Sequence, residues 1–264
     1  MPPKTRRSQF ASVIRASGDL LTVGAAAAAL GCDRVAAAKT LARWAGQGRL
    51  RRLRRGLYAV VPLAARSGDR AIEDPWRLVP ELFSPGYVGG VTAAHHWDLT
   101  EQLFRSVFVF TARPVRSRDV EIEGSPFVVR HRAERLLFGT RPVWRGTARV
   151  DVSDPHRTII DMLDEPSTGG GIRQVADCLR AYLASKDADT AVLLDYAARL
   201  GNGAVYKRLG FLLERDGRPG PTLDACRKRL TRGNVRLDPA LPSPRLISRW
   251  RLWVPEAWLG AGRD

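Results

Sequence analysis

Apolar residues in the first fifty positions recur at the three- and four-residue spacing of amphipathic helices. Phe10, Val13 and Ile14 have this spacing and predict a short helix over residues 6–17. Thr22 then precedes an alanine-rich apolar run, and its hydroxyl suits the N-cap of a second helix. The chain is therefore predicted to begin with two helices.

A third helix is predicted to start after Asp33, a good N-cap residue, and to end at one of the glycines that follow it. Its core-facing positions are predicted to be Val35, Ala38, Leu41, Trp44 and Ala45. A tight turn at Gly31 joins the second and third helices, as in the helix-turn-helix pattern. Two short strands follow, at 49–54 and 57–61. Three helices and a hairpin in this order predict a winged helix-turn-helix.

The rest of the chain alternates predicted strands with predicted helices. A buried strand is predicted in "SVFVFTARPV", a hairpin in "VEIEGSPFVVRHR", and a strand with a capped helix in "ARVDVSDPHRTIIDML". Three amphipathic helices follow, and "RLISRWRLWVPEAWL" is expected to add late strands to the sheet. The fold class is therefore α+β, with a winged helix-turn-helix domain over 1–66 and a mixed α/β domain over 67–264, its sheet flanked by helices.

Charge is distributed unevenly along the chain, whose formal net charge is +16. Residues 1–66 carry 13 Lys and Arg against two acids, whereas residues 67–216 carry 20 against 21. Residues 217–264 carry 10 against 4. Positive charge concentrated in the first quarter indicates a polyanion-binding module attached to an ordinary globular one.

The stretch "GRLRRLRRGLYAV" places five arginines within seven residues, just before an apolar strand. The leucines between them are predicted to hold the hairpin against the helices, which leaves the arginines facing outward. A solvated surface would mix charge signs, yet no acid occurs between Asp33 and Asp69. A membrane-surface patch would need a continuous amphipathic helix, which Gly56 and its β-favouring neighbours oppose. Binding to DNA phosphates is the stronger interpretation.

The stretch that most resembles a catalytic or metal site is "VSDPHRTIID", where acids surround a histidine between Asp151 and Asp164. The same residues fit a capped helix. Asp154 suits the N-cap, a proline suits the first helical position, and Asp161 can pair with Arg157 one turn earlier. We favour this structural role and keep a metal-dependent nucleic-acid enzyme as a weaker alternative.

Other catalytic signatures are weak or absent from the sequence. Asp187-x-Asp189 resembles a nucleotidyltransferase metal motif but lacks the preceding Gly-Ser, so it is expected to begin a helix. Neither Glu-x-Lys nor G-x-S-x-G occurs, and the scattered cysteines and histidines have no metal-ligand spacing. His95 and His96 are expected to be packed rather than catalytic. We therefore expect no enzyme activity, metal or cofactor.

Two further features favour an ordinary cytoplasmic protein. The basic N-terminus followed by "LLTVGAAAAALGC" imitates a secretion signal, but Arg15 and Asp19 interrupt it. The run of about twelve residues is also too short to cross a bilayer.

Trp250, Trp253 and Trp258 are interpreted as core residues of the late strands rather than as a base-stacking surface.

Four segments carry a resemblance to a known family: "LRRLRRGLY", "TAAHHWDL", "VDVSDPHRTIIDML" and "YAARLGNGAVYKRLGFLLE". With the predicted helix-turn-helix, they resemble the AbiEi antitoxins of type IV toxin–antitoxin systems over about residues 10–255. The resemblance implies a winged helix that represses its own operon at inverted repeats in double-stranded DNA. It also implies a C-terminal domain that neutralises a separate nucleotidyltransferase toxin without a stable complex.

Carried onto this chain, the resemblance assigns major-groove contacts to four residues of the third helix: Arg34, Lys39, Thr40 and Arg43. It assigns phosphate or minor-groove contacts to the hairpin arginines: Arg49, Arg51, Arg52, Arg54 and Arg55. Arg6 and Arg7 are expected to add an N-terminal arm. The third helix is unusually rich in alanine, which leaves few side chains to read bases.

The first alternative to this function is a winged-helix regulator whose second domain senses a small molecule.

Overall fold

The structure, a computed structural model, describes residues 6–61 and 73–259, with side chains from residue 9 onward. These residues form an N-terminal unit (6–61) and a C-terminal unit (73–259). The arrangement is mixed α+β: helices and strands first, then a many-stranded sheet with flanking helices. The expected domain boundary near residue 66 lies outside the described residues.

The N-terminal unit runs in the order α1 (Arg6–Ser17), β1 (Leu20–Thr22), α2 (Val23–Leu30), α3 (Arg34–Gly46), β2 (Leu50–Arg54) and β3 (Leu57–Val60). Thr22 and Asp33 cap α2 and α3 as predicted, because their side chains accept hydrogen bonds from Ala25 N at 3.1 Å and Ala36 N at 2.8 Å. Gly31 ends α2 with a φ of 63°, which allows the tight turn into α3. The strands form an antiparallel sheet of order β1-β3-β2.

The C-terminal unit contains α4 (Val79–Phe83), β4 (Gly86–Val88), α5 (Gly90–His96), β5 (Val107–Thr111), β6 (Asp119–Ile122), β7 (Ser125–His131), β8 (Thr140–Arg145), β9 (Ala148–Ser153), α6 (Pro155–Asp164), α7 (Ile172–Ala184), α8 (Thr190–Leu200), α9 (Gly203–Arg215), α10 (Pro221–Lys228), β10 (Val235–Arg236), β11 (Arg245–Ile247) and β12 (Leu252–Val254). Six strands form a mixed sheet of order β6-β7-β5-β4-β9-β8. The last three strands form a separate small sheet of order β10-β12-β11.

The two faces of the six-stranded sheet bury different neighbours. On one face, Tyr87 and Phe110 stack with ring centroids 5.2 Å apart, and the Tyr87 hydroxyl reaches Asp161 of α6. On the other face, Val109 and its neighbours share a core with Leu57 and other residues of β1 and β3. The N-terminal sheet therefore lies between its own helices and the C-terminal unit.

Several expectations about packing are wrong, including the core position of Ala38, which lines a surface groove instead. Val35 is 66% exposed, because the buried stripe of α3 runs through Ala37 and Leu41 instead. The late strands do not extend the large sheet, since β10, β11 and β12 pair only with one another among the described strands. Trp250 and Trp258 are buried as expected, but Trp253 is 38% exposed.

Candidate nucleic-acid interface

A groove of about 890 Å³ lies between α3 and the β2–β3 hairpin. Five cationic side chains line it: Arg34, Lys39, Arg52, Arg54 and Arg55. Ala38 and Ala42 form part of its helical wall, and their small side chains leave the helix surface open to close approach. Such an excess of positive charge in a concave surface attracts polyanions.

Adjacent arginines of β2 point to opposite faces of the N-terminal sheet because side chains alternate along a strand. Arg52 is paired in register with Tyr58, whose ring packs on the helices, and it lines the groove. Arg51 is paired with Ala59 on the other face, and its Nη1 lies 2.9 Å from Oε2 of Glu123. The hairpin arginines are thus divided between the groove and the C-terminal unit.

The tip of the hairpin brings two more arginines to the groove. The β2–β3 register shifts between Arg52 and Arg54, which marks a bulge, and Gly56 turns the chain with a φ of 81°. Arg54 donates a hydrogen bond to the main-chain oxygen of Glu81 in the C-terminal unit. Arg55 is exposed, and among the described contacts it has no ion-pair or hydrogen-bond partner.

Of the other residues proposed to bind DNA, those whose side chains are described lie outside this groove, Arg51 among them. Arg43 is exposed on α3, and Thr40 is half-buried on the same helix. Arg49 packs towards α1, where its guanidinium lies 5.5 Å from the ring centroid of a phenylalanine. The side chains of Arg6 and Arg7 lie outside the description. The structure thus brings five of the eleven predicted residues into one groove.

Sequence reasoning missed two residues beside the predicted cations. Val35 presents its side chain to solvent next to Arg34. A second helical phase, in which Ala37 and Trp44 share the buried stripe, was the signal that could have found it. Glu81 lines the groove from the C-terminal unit, and no spacing within the basic stretch could have indicated this contact.

The stretch from Asp151 to Asp164 is held by structural contacts. Asp154 caps α6 by accepting a hydrogen bond from Arg157 N at 2.8 Å. Asp161 has no exposed surface, lies 3.0 Å from Arg157 Nε and accepts a hydrogen bond from the Tyr87 hydroxyl at 2.8 Å. Burial and the charge of Asp161 raise the Tyr87 pKa, so that the hydroxyl stays protonated. Burial opposes the charge of Arg157, but Asp161 keeps the Arg157 pKa above its ordinary value.

Other candidate positions also have structural partners. Asp189 caps α8 by accepting hydrogen bonds from the main-chain nitrogens of Ala191 and Val192. His96 packs against Trp97, with ring centroids 4.5 Å apart, whereas His95 is exposed, so the expectation that it is packed is wrong. Within the described ranges, no three His, Cys, Asp or Glu side chains are placed to hold a metal ion. No helix of those ranges is long and apolar enough to cross a membrane.

The segment that builds the groove also carries a family signature, described as transcriptional regulator, AbiEi antitoxin. Residues 10–61 match the AbiEi antitoxin family. The predicted resemblance is confirmed over this segment. The AbiEi match includes α2, α3 and the hairpin, and therefore every residue that lines the groove except Glu81.

The likeness to a solved structure extends over both units. The crystal structure of the RV2827C protein from Mycobacterium tuberculosis is similar with a TM-score of 0.62, covering 94% of this chain and 91% of that chain. The two sequences are 15% identical, so the likeness shows the fold alone. No curated protein matches the chain.

Proposed function

We propose that this protein is a DNA-binding autorepressor and the antitoxin of a type IV toxin–antitoxin operon. The groove between α3 and the hairpin supports the DNA-binding role, because five cations line it and the AbiEi match covers the same segment. Neutral globular surfaces have no need of such a concentration of positive charge. In this proposal the protein acts by binding and catalyses no reaction.

The N-terminal unit supports this role as a winged helix-turn-helix. In that arrangement β1 completes the hairpin sheet, α3 is the recognition helix and β2–β3 is the wing. A major groove admits one α-helix, and phosphates beside it meet the flanking wing. In this arrangement base edges would meet four residues of α3: Arg34, Lys39, Thr40 and Arg43. The DNA backbone would be bound by Arg52 and Arg55.

Two wing arginines have a different task in this proposal. Arg51 and Arg54 contact Glu123 and Glu81, so they orient the wing relative to the C-terminal unit. Arg49 lies towards α1 and would meet phosphates at the outer edge of the surface. The wing thus both binds DNA and connects the two units.

The antitoxin role is supported by the AbiEi match. We propose that the C-terminal unit counters a nucleotidyltransferase-type toxin encoded nearby, without a stable complex. Co-expression of this protein with the toxin, each from an unrelated promoter, tests this role. The wild-type chain and Arg52→Ala should both rescue the growth that the toxin inhibits. Rescue by neither protein would contradict the antitoxin role and leave the DNA-binding role standing.

Footprinting of the purified protein on its own upstream region tests the DNA-binding role. Protection of paired inverted half-sites is expected, since two copies are proposed to bind one operator. If six to eight cationic side chains meet phosphates, log K should fall with a slope of about −5 to −7 against log salt. Sequence-blind protection, or a slope near zero, would contradict the proposal.

Two neighbouring arginines make a matched pair for this assay. Arg52→Ala should weaken binding to all sequences and make the salt slope shallower by about 0.9, because one phosphate contact is lost. Arg51→Ala should leave the slope unchanged, since that side chain faces Glu123. Equal slopes for both variants would contradict the orientation of the wing. Arg43→Ala should instead cost about 1–3 kcal/mol and relax specificity at one base position.

A cavity in the C-terminal unit favours a second candidate, a regulator that senses a small molecule. The cavity, of about 810 Å³, lies between the start of α7 and two proline-containing loops, with Ile172, Leu241 and Trp258 among its lining residues. This volume is in the range of small-molecule sites. Leu241→Trp would narrow the cavity and should then change operator affinity. Unchanged affinity, with a nucleotidyltransferase gene beside the operon, would favour the antitoxin.

A further inference from the structure

We infer that the exposed face of the small β10-β12-β11 sheet binds single-stranded nucleic acid, at a site separate from the groove. The central residue of this face is Trp253, which is 38% exposed. It is paired in register with Arg236 on one side and with Leu246 on the other, so the three side chains share one face. Strands lie about 4.8 Å apart, so this row spans roughly 10 Å across the sheet.

The exposure of Trp253 is not required by the packing of the small sheet. The opposite face is already filled, because Leu252 is fully buried and packs with Val235 and Ile247. Trp250 and Trp258 are buried in the same core. A large aromatic ring in the middle of a solvent-facing row offers its exposed surface to a nucleobase, because bases stack on aromatic rings.

Charge around this face selects the kind of ligand. Residues 224–256 contain eight Lys and Arg against three acids: Asp224, Asp238 and Glu256. All eight cations are exposed, whereas Asp238 is buried and accepts hydrogen bonds from the main-chain nitrogens of Ile172 and Ala240. Two acids neutralise part of this charge, since Glu214 from α9 pairs with Arg227 and Arg249, and Asp224 also pairs with Arg227.

Several cations remain available to phosphates. Among the described contacts, the side chains of Arg232 and Arg236 have no carboxylate partner. Arg251 donates a hydrogen bond to the main-chain oxygen of Arg232 at 2.5 Å, which fixes the guanidinium without removing its charge. The main-chain oxygen of Arg236 accepts hydrogen bonds from the buried Arg208, so β10 is held in place.

A single strand fits this surface better than a duplex or an acidic protein. Stacking on Trp253 needs an unpaired base, because the bases of a duplex stack on each other. An acidic protein segment would pair with the arginines but would leave the ring without a flat partner. Aromatic residues among basic side chains on a sheet are the usual platform for single strands, with bases on the ring and phosphates on the cations.

The test is the binding of a fluorescein-labelled single-stranded oligonucleotide of about 15 nucleotides, measured by anisotropy at several salt concentrations. Trp253→Ala should weaken binding between about fivefold and a hundredfold, the range for loss of one stacked base. Arg236→Ala should make the salt slope shallower by about 0.7, the value for one phosphate contact on a single strand. A cross-link from 5-iodouracil to Trp253, mapped by mass spectrometry, is expected in the wild-type protein and needs no substitution.

Matched controls separate this surface from a general effect and from the groove. Trp144 is 66% exposed on β8 of the other sheet, so Trp144→Ala should leave oligonucleotide binding unchanged. Arg52→Ala should weaken duplex binding and spare the single strand. Unchanged binding by Trp253→Ala, or an equal loss in Trp144→Ala, would overturn the inference.

Discussion

Replacing Asp161 with asparagine removes one negative charge from the interior and keeps the size of the side chain. The carboxylate has no exposed surface and lies 3.0 Å from Nε of Arg157, which has none either. It also accepts a hydrogen bond from Tyr87 at 2.8 Å and lies 3.4 Å from Arg132. In the variant Arg132 keeps Asp164 at 3.1 Å, so Arg157 is the cation left without a carboxylate.

The magnitude follows from that single unpaired cation. Removing one partner of a buried ion pair typically costs about 3–5 kcal/mol, because the remaining charge stays out of water. Arg132 moderates the loss only in part, since its second carboxylate remains. We therefore expect Asp161→Asn to lower the free energy of unfolding by about 3 kcal/mol. A domain with about 5–15 kcal/mol of stability would lose a large fraction of it.

Urea unfolding of four proteins measures this effect: wild type, Asp161→Asn, Arg157→Met and the double variant. The double variant should lose less than the sum of the single losses, with a coupling of about 1–3 kcal/mol, because it leaves neither charge unpaired. Asp177→Asn is the matched control. Asp177 pairs with Arg180 on the surface, so its loss should be at most about 1 kcal/mol.

Two outcomes would refute this reasoning. A loss below about 1 kcal/mol for Asp161→Asn, or strict additivity in the cycle, would mean that the buried pair contributes little. If the stretch from Asp151 to Asp164 were a metal site, Asp161→Asn would instead fold normally and lose a dependence on divalent cations. The two hypotheses thus predict opposite results for the same variant.

Two further predictions concern packing and pH. Gly210→Ala should destabilise the protein by about 1–3 kcal/mol, because the added methyl carbon would lie 2.1 Å from a ring carbon of the buried Trp250. This clash should outweigh the higher helix propensity of alanine. A raised melting temperature would contradict this prediction. Burial, and then the charge of Arg145, lower the pKa of His96 in the folded protein below 6.5. As the pH falls, His96 therefore takes up a proton in the unfolded chain before it does so in the folded protein. The free energy of unfolding should thus fall as the pH drops below 6.5. His96→Gln should flatten this dependence in unfolding experiments at two pH values, and equal slopes for both proteins would exclude His96 as its source.

The helices of the N-terminal unit follow from local chemistry. Thr22, Asp33 and Gly31 have side chains or backbone freedom that suit only a few positions in a helix, so they fix where α2 and α3 begin and end. The phase of α3 is less well determined. Alanine fills so many positions that two different stripes appear apolar, and Val35 was placed in the core when it is exposed.

The elements that sequence reasoning missed have weak local signals. β1 has three residues and gains its place only by pairing with β3. β8 contains Pro142, which argues against a strand unless that strand lies at the edge of a sheet, as β8 does. α10 begins after Gly220, and no side chain caps it. β1 therefore depends on a strand that is distant in sequence, whereas β8 and α10 pack on their neighbours in sequence, β9 and α9.

The candidate site shows the same division between what local patterns indicate and what contacts decide. A count of "GRLRRLRRGLYAV" finds five arginines for DNA, but strand alternation sends Arg51 to Glu123, and Arg54 also contacts the C-terminal unit. The groove itself contains five cations, so its contribution to the salt slope is at most about −4.5, the value reached only if every one of them meets a phosphate. A measured slope between −5 and −7 therefore requires contacts beyond the groove, and Arg49, an exposed cation just before β2, can supply one of them. The slope thus measures how far the DNA extends past the groove.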